Sequence, residues 1–210
     1  MKRHIGWIAG TAAAALVAAG AITYAVAEDG GGGGGLSVPS ADGADAGFAR
    51  DMAVHHQQAV EMSYIVRDRT KNTEVRRLAY DIAQTQANQR GMLLGWLDLW
   101  DLPKVSAKPP MSWMGMGDMP ERGDGSLMPG MATDAELKKL GTLNGKQAEI
   151  FYLQLMTDHH KGGIHMAEGC VAKCTVGVEK SLAQGMVDAQ QSELATMKQM
   201  LKERGAQPRD

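Results

Sequence analysis

Two stretches with the same pattern decide the fold: residues 52–62 read Met-Ala-Val-His-His-Gln-Gln-Ala-Val-Glu-Met, and residues 156–166 read Met-Thr-Asp-His-His-Lys-Gly-Gly-Ile-His-Met. The second stretch follows the first by 104 residues without a gap, and the same shift aligns Leu78 with Leu182. Each copy is long enough for two helices. The repeat therefore predicts a duplicated helical hairpin rather than a short solenoid unit.

Apolar spacing and capping residues predict helices throughout both copies and no strands. Two amphipathic hairpins can bury their apolar faces only against each other, so the predicted fold is all-α, a four-helix bundle over residues 45–204. In the first copy we expect a helix capped by Asp45 and running to about Arg69, a turn at 70–73 and a helix to about Trp100. A linker at 101–132 follows. In the second copy we expect a short helix with a capping box from Thr133 to Glu136, a long helix capped by Asn144, a last helix from about Val178 to Arg204, and a tail at 205–210.

The first 27 residues have the pattern of an export segment. Lys2 and Arg3 precede an uncharged apolar stretch over residues 5–27, which ends Ala-Val-Ala. This pattern predicts a secretory signal peptide, and the length of the stretch leaves a retained membrane anchor equally open. Residues 28–44, which contain six consecutive glycines, are expected to form a flexible linker. The mature domain is therefore placed outside the cytoplasm, in the periplasm, the cell envelope or the medium.

Composition and charge exclude some classes of function. The formal net charge is -2, and after removal of Lys2 and Arg3 the chain keeps 20 basic residues against 24 acidic ones. A chain without basic excess is not expected to follow a phosphate backbone, so we expect no nucleic-acid partner. The unusual feature of the composition is that the chain has 15 methionines and only 2 phenylalanines, so soft sulfur side chains take the place of aromatic ones.

The repeated stretches place imidazoles and thioethers on one helical face. At about 100° per residue, the two histidines and two methionines of each stretch share a face with a small residue, Ala59 or Gly163. We expect both faces to point into the bundle. The candidate metal ligands are Met52, His55, His56, Met62, Met156, His159, His160 and Met166.

An alternative interpretation is that these methionines fill the core and the histidines bond to neighbouring groups. Five of the six histidines of the chain fall in the two stretches. Burying that many imidazoles without a ligand would leave unpaired nitrogen atoms, and such burial is costly. The clustering therefore favours a metal site.

Ligand chemistry favours copper. Thioether is a soft donor that selects Cu(I) or its heavier analogue Ag(I), whereas imidazole alone would also suit zinc, iron or nickel. A di-iron site requires Glu-x-x-His pairs, and Glu61 lies on the opposite face from the histidines. A catalytic zinc site of the His-Glu-x-x-His type is not present in the sequence.

Further candidate ligands are less well placed by the pattern. His165 lies about half a turn from the shared face, so it points toward another helix or toward solvent. Cys170 and Cys174 are four residues apart, which leaves a disulfide and a thiol pair both open. In the linker, Met114, Met116 and Met119 either form a second, exchangeable Cu(I) site or cover the end of the bundle.

The quoted histidine stretches, together with the Gln-x-x-Gln/Glu segments of the second helices, resemble the domain-of-unknown-function family 305 across residues 45–204. The resemblance implies a ferritin-like helical bundle, export from the cytoplasm and, for some members, copper binding. It also implies that the eight paired histidines and methionines contact the metal.

The sequence predicts a binding protein rather than an enzyme. We expect an exported or membrane-tethered bundle that buffers copper, confers tolerance to it or delivers it to a partner protein. The rival hypotheses are a ferritin-like metal-dependent oxidase and a metal-free structural or interaction bundle. The sequence does not fix the oligomeric state.

Overall fold

The fold is all-α, as predicted, in a computed structural model that describes residues 38–117 and 123–209. The predicted export segment and residues 28–37 of the predicted linker lie outside the described residues. Within the described ranges there is no strand. The helices are α1 (Ala44–Arg69), α2 (Thr73–Leu99), α3 (Asp134–Thr142), α4 (Gly145–Lys173) and α5 (Gly177–Glu203), with a 3-10 turn at Ser112–Met114.

The four long helices form two hairpins that meet along α1 and α4. Helix α1 packs on α2, α4 packs on α5, and α1 crosses α4, while the short helix α3 rests on α1 and α4. Among the helices of the described ranges, none has the length and apolar character needed to cross a membrane.

The interior consists of two hydrophobic clusters. The first-turn core lies beside the turn between α1 and α2 and includes Val66, Val75 and Leu140. The second-turn core lies beside the turn between α4 and α5 and includes Phe48 and Cys170. The repeat relates these two cores, because each is built around the turn of one hairpin.

Two helices begin at side-chain caps, and the sequence predicts the second of these caps. The Asn72 side chain accepts hydrogen bonds from the backbone N–H groups of Glu74 and Val75 at the start of α2. Thr133 and Glu136 form a complete capping box at the start of α3. Such caps satisfy N–H groups that have no partner within the helix and contribute about 1 kcal/mol each.

The prediction that Asp45 caps α1 is wrong. Gly43 occupies the cap position of α1, and the Asp45 carboxylate instead accepts hydrogen bonds at the other hairpin's turn. Its donors there are the backbone N–H groups of Thr175 and Val176, each at 2.7 Å. Asn144 does occupy the cap position of α4, but its side chain makes no capping bond. Asp45 therefore holds the two hairpins together rather than starting its own helix.

The linker packs over α1 and α4. Its Ala132 backbone is bracketed by the Gln58 amide, which donates to the carbonyl at 2.9 Å and accepts from the N–H at 2.7 Å. On α4, a Cβ at Gly162 would lie 2.0 Å from the Pro129 carbonyl oxygen. Glycine at this position lets the linker backbone approach the helix.

Candidate metal centre

The four paired histidines lie in the interior of the bundle. Each has an exposed fraction of 0%. The rings of His55 and His159 come together across the contact of α1 with α4, with centroids 3.7 Å apart and planes at 32°. The ring of His160 lies 6.4 Å from that of His159. The duplicated motif thus becomes a single histidine cluster because α1 and α4 cross at the repeated residues.

Hydrogen bonding fixes the tautomer of two of these imidazoles. His159 Nε2 lies 3.0 Å from the backbone oxygen of His55, and His160 Nε2 lies 2.6 Å from a carboxylate oxygen of Glu193. Because both oxygens only accept, each Nε2 carries the proton and donates. The Nδ1 atom of each ring therefore keeps its lone pair, and neither Nδ1 has a hydrogen-bonding partner.

The other two imidazoles are less satisfied. In His55 and His56 both ring nitrogens are buried without a partner of normal hydrogen-bond geometry. Together with Nδ1 of His159 and His160, six buried imidazole nitrogens lack a partner. Buried polar atoms are nearly always paired in native proteins, and each orphan costs roughly 1–3 kcal/mol. A cluster of this kind indicates a ligand that the protein atoms themselves do not supply.

Burial keeps the imidazoles of His55, His56 and His159 neutral. It lowers the pKa of His55 and of His56 to about 3, and the neighbouring imidazoles add to the effect. It also lowers the pKa of His159 well below its ordinary value, again with a further contribution from the other histidines. A neutral imidazole is the form that binds metal, so protons do not compete for these nitrogens near neutral pH.

The four paired methionines are all fully buried, but they divide between the two cores. Met52 and Met166 belong to the second-turn core, while Met62 and Met156 belong to the first-turn core. Because α1 and α4 are antiparallel, the first methionine of one repeated stretch lies in the same core as the last methionine of the other. Each core therefore contains two of the four paired thioethers.

Three histidine nitrogens do not converge on one point. Within residues 38–117 and 123–209, the His, Cys, Asp and Glu side chains whose ligand atoms gather as a group of three are Cys170, Cys174 and Glu179. The histidine cluster therefore needs thioether donors, or rotation of its side chains, to complete a coordination shell.

Glutamines line the second helices beside the cluster. Gln86 and Gln190 are 3% exposed, and both amide atoms of Gln86 and the Oε1 of Gln190 have no partner of normal hydrogen-bond geometry. A Cβ at Gly163 would lie 2.5 Å from Gln190 Oε1, so this glycine admits the amide to the interior. The side chains of Gln89 and Gln86 act on the pKa of His56 in the upward direction, against the larger effect of burial. The amides thus belong to the surroundings of the cluster.

Comparison with known proteins assigns the chain to a family. The sequence model of the domain of unknown function DUF305 matches residues 45–201. The chain belongs to the DUF305 family. One solved structure that resembles the chain is of a DUF305 protein from Streptomyces coelicolor that is proposed to be secreted. Its sequence is 72% identical and its TM-score is 0.76, and the match covers 81% of this chain and 99% of that chain.

More distant structures share the DUF305 fold. A DUF305 fragment from Deinococcus radiodurans is 29% identical with a TM-score of 0.64 over 76% of this chain and 96% of that chain. CopM, solved in a Cu(I)-bound form, is 20% identical with a TM-score of 0.58 over 76% of this chain and 96% of that chain. At that identity the likeness to CopM shows the fold alone. No curated protein matches the chain in sequence.

Two further sequence candidates lie outside the histidine cluster of this DUF305 domain. His165 is exposed, because nine residues of helix after Met156 bring it to the opposite face of α4. Met119 lies outside the described residues.

The linker methionines pack on the core. Met114 and Met116 are half-buried against the second-turn core, the same core that holds Met52 and Met166. A Cβ at Gly169 would lie 2.5 Å from the Met114 methyl carbon. The prediction that these methionines cover the end of the bundle is consistent with this packing, and their thioethers lie on the same side of the histidine cluster as two of the paired methionines.

The structure decides the cysteine question that the sequence left open. Cys170 and Cys174 form a disulfide, with their Cα atoms 4.8 Å apart at the end of α4. Two acidic groups lie in places that the sequence pattern did not predict. Glu193 touches His160, and Glu179 lies beside the disulfide. In the first copy the equivalent residues are Gln89 and Val75. This difference between the two copies is the sequence signal that could have identified Glu193 and Glu179.

Proposed function

We propose that this DUF305 protein binds copper outside the cytoplasm, chiefly as Cu(I), and buffers it or delivers it to a partner protein. The observation that carries the proposal is the set of six unpartnered nitrogen atoms on four fully buried imidazoles. Each neutral imidazole offers one lone pair, so the four rings offer at most four, and a metal ion bound to them would offset part of the cost of burying these nitrogens.

The donor set favours a soft ion. Neutral imidazoles flanked by buried thioethers suit Cu(I) and its analogue Ag(I) better than oxygen-seeking ions such as Mg²⁺. CopM, which shares the fold, has been solved in Cu(I)-bound, Cu(II)-bound and Ag-bound forms. Low coordination numbers also fit a cluster in which three nitrogens do not already converge, because two nitrogens and one thioether would suffice.

Export supports the same proposal. The predicted signal peptide or anchor at residues 1–27 and the likeness to a Streptomyces coelicolor protein proposed to be secreted both favour a location outside the cytoplasm. Thioether ligands suit an oxidising compartment, since methionine does not form disulfides. The proposed role is therefore to hold copper in the periplasm, the cell envelope or the medium.

A competition titration tests the proposal. The purified protein is titrated with Cu(I) in the presence of a chromophoric Cu(I) chelator, beside a variant with His55, His56, His159 and His160 all changed to Ala. The wild type is expected to withdraw copper from the chelator, and the variant to withdraw at least tenfold less. His165→Ala is the matched control, because His165 is exposed and outside the cluster.

The controls distinguish copper binding from a metal-free bundle. If the wild type and the fourfold variant withdraw the same amount of copper, the histidine cluster is not the site. If His165→Ala is as weak as the fourfold variant, binding occurs at the surface. Circular dichroism of each variant shows whether the helical fold is retained.

A further inference from the structure

A pair of acidic side chains lies buried at the end of the bundle beside the second hairpin's turn. Asp45 on α1 is 3% exposed and Glu179 on α5 is 0% exposed. No ion pair within the described ranges involves either residue. Buried carboxyl groups are normally paired with a cation or bound to a metal. Two of them together without a counter-ion therefore call for a physical reason.

The other end of the bundle shows how the same fold handles such an acid. The repeat places Glu149 at the position equivalent to Asp45. Glu149 also reaches the opposite hairpin's turn, where it accepts a hydrogen bond from Thr70. There, however, Arg204 donates to the second carboxylate oxygen at 2.7 Å and neutralises it. The position equivalent to Arg204 at the Asp45 end is Trp100, which carries no charge.

The two ends also differ in the residues around the acid. The positions equivalent to Cys170, Cys174 and Glu179 are Val66, Thr70 and Val75. The two valines are fully buried in the first-turn core. The fold thus packs this region well without sulfur and without a second carboxyl group. Packing does not account for their presence in the second copy.

These three side chains also converge. One ligand atom from each of Cys170, Cys174 and Glu179 lies within 4.8 Å of the others. Both carboxyl oxygens of Glu179 are buried without a hydrogen-bonding partner of normal geometry. Burial, reinforced by the charge of Asp45, raises the pKa of Glu179 to about 9. With the disulfide closed, the carboxyl group is therefore neutral, and the group that it faces within hydrogen-bonding reach is the Asp45 carboxylate rather than a cation.

We propose that Cys170, Cys174 and Glu179 form a redox-controlled site for a divalent ion of the Zn(II) class, closed while the disulfide exists and opened by a dithiol reductant. Two thiolates and one carboxylate are a donor set that zinc uses, with a fourth position left for water. Asp45, adjacent to Glu179, supplies a further negative charge. The site is separate from the histidine cluster and independent of the copper proposal.

The chemistry balances in two steps. A dithiol transfers two electrons and two protons, the Sγ–Sγ bond breaks, Cys170 and Cys174 become thiols, and the reductant becomes a disulfide. The divalent ion then displaces three protons, one from each thiol and one from Glu179. Cys170 and Cys174 are 0% and 3% exposed, and Cys174 lies between exposed Lys173 and Thr175, so the reductant must approach from the side of Cys174.

Cadmium provides a direct test, because cadmium thiolates have an ultraviolet charge-transfer band. The chain has two cysteines in total, so the band reports on Cys170 and Cys174. The purified protein is reduced, freed of reductant under anaerobic conditions and titrated with Cd(II). We expect the band to saturate at one ion per chain, with none in the oxidised protein. Glu179→Val, which introduces the residue found at Val75, is expected to weaken binding at least tenfold.

Control variants keep each outcome informative. Glu61→Gln removes an exposed carboxylate on α1 and should leave Cd(II) affinity unchanged, whereas the double change Cys170→Val and Cys174→Thr should abolish the band. Equal affinity in wild type and Glu179→Val would overturn the three-ligand site. If reduction melts the helices, Cd(II) or Zn(II) should restore the circular dichroism of the wild type but not of Glu179→Val. Failure to restore it also overturns the proposal.

Discussion

The buried imidazoles link the stability of the metal-free protein to pH. The pKa of His55 and of His56 falls to about 3 on folding, and that of His159 falls well below its ordinary value, whereas in the unfolded chain each is near 6.5. Between those values the unfolded state binds more protons than the folded state. Stability is therefore fully present above about pH 6.5 and is lost as the pH falls toward 3.

We expect the free energy of unfolding of the metal-free protein to fall by about 1.4 kcal/mol per pH unit for each such imidazole below pH 6.5. Urea unfolding at pH 7, 6 and 5 measures the slope. A variant with His55 changed to Phe should show a shallower slope, while His165→Ala, at an exposed position, should not. A flat profile between pH 7 and pH 5 would contradict the burial of neutral histidines.

Glu179 acts in the opposite direction on the alkaline side. Its pKa is about 9 in the folded protein, so the folded state keeps a proton that the unfolded state releases above about pH 4.5. Its contribution is present at low pH and is lost as the pH rises toward 9. The histidines dominate below pH 6.5, so stability should be greatest near that value. Glu179→Val should flatten the alkaline limb and should also steepen the acid limb between about pH 4.5 and 6.5, where Glu179 opposes the histidines.

At the scale of the element, the two neighbouring glycines of α4 have distinct tasks. Gly162 makes room for the Pro129 carbonyl of the linker, and Gly163 makes room for the Gln190 amide. In the first copy these positions are Gln58 and Ala59. Both glycines lower the helix propensity of α4. In return, the linker can cover the histidine cluster on one side, and a polar side chain can approach the cluster on another.

Alanine substitutions separate these tasks from propensity. Gly162→Ala places a Cβ 2.0 Å from a backbone oxygen and should cost roughly 1–3 kcal/mol of stability, as overpacking does. Gly185→Ala on α5, where a Cβ meets nothing within 4 Å, should stabilise by about 0.5–1 kcal/mol. Thermal melts of both variants measure the difference. A Gly162→Ala protein as stable as wild type would show that the linker does not pack closely on α4.

At the scale of the whole molecule, the duplication is symmetric in its histidines and asymmetric in its charge. A groove of about 640 Å³ between α2 and α5 is lined by Glu193 and by three further acidic residues. Those three are Glu74, Asp81 and Glu203. Their counterparts in the other copy are Val178, Gly185 and Leu99, and the counterpart of Glu193 is Gln89. Arg77 also lines the groove, so its charged lining is four acidic residues against one basic residue, and the equivalent positions of the other copy lack this acidic excess.

This asymmetry suggests how a cation would reach the proposed copper site. Glu193, whose side chain is 25% exposed, faces the groove and also bonds to the buried His160. We expect Glu193→Gln to slow uptake of Ag(I), measured by stopped flow at low salt, by up to about tenfold, because a negative cleft concentrates cations. Gln89→Glu is the complementary variant and should speed uptake. Equal rates in all three proteins would place the route elsewhere.

The all-helical fold and the duplication can be predicted from the amino-acid pattern alone, because periodicity and capping are local properties of the chain. The capping box of Thr133 and Glu136 needed nothing beyond neighbouring residues. The amino-acid pattern also identified the paired histidines and methionines, because the rotation of 100° per residue fixes which side chains share a face of one helix.

Which groups meet depends on how the helices pack against each other. Antiparallel crossing of α1 and α4 stacks His55 on His159 and divides the methionines between two cores. It moves Asp45 from its own helix start to the other hairpin's turn, and it places Glu179 beside the disulfide. These contacts join residues far apart in the chain, so they depend on the register between helices. Burial and packing of the whole bundle, rather than any local signal, set that register.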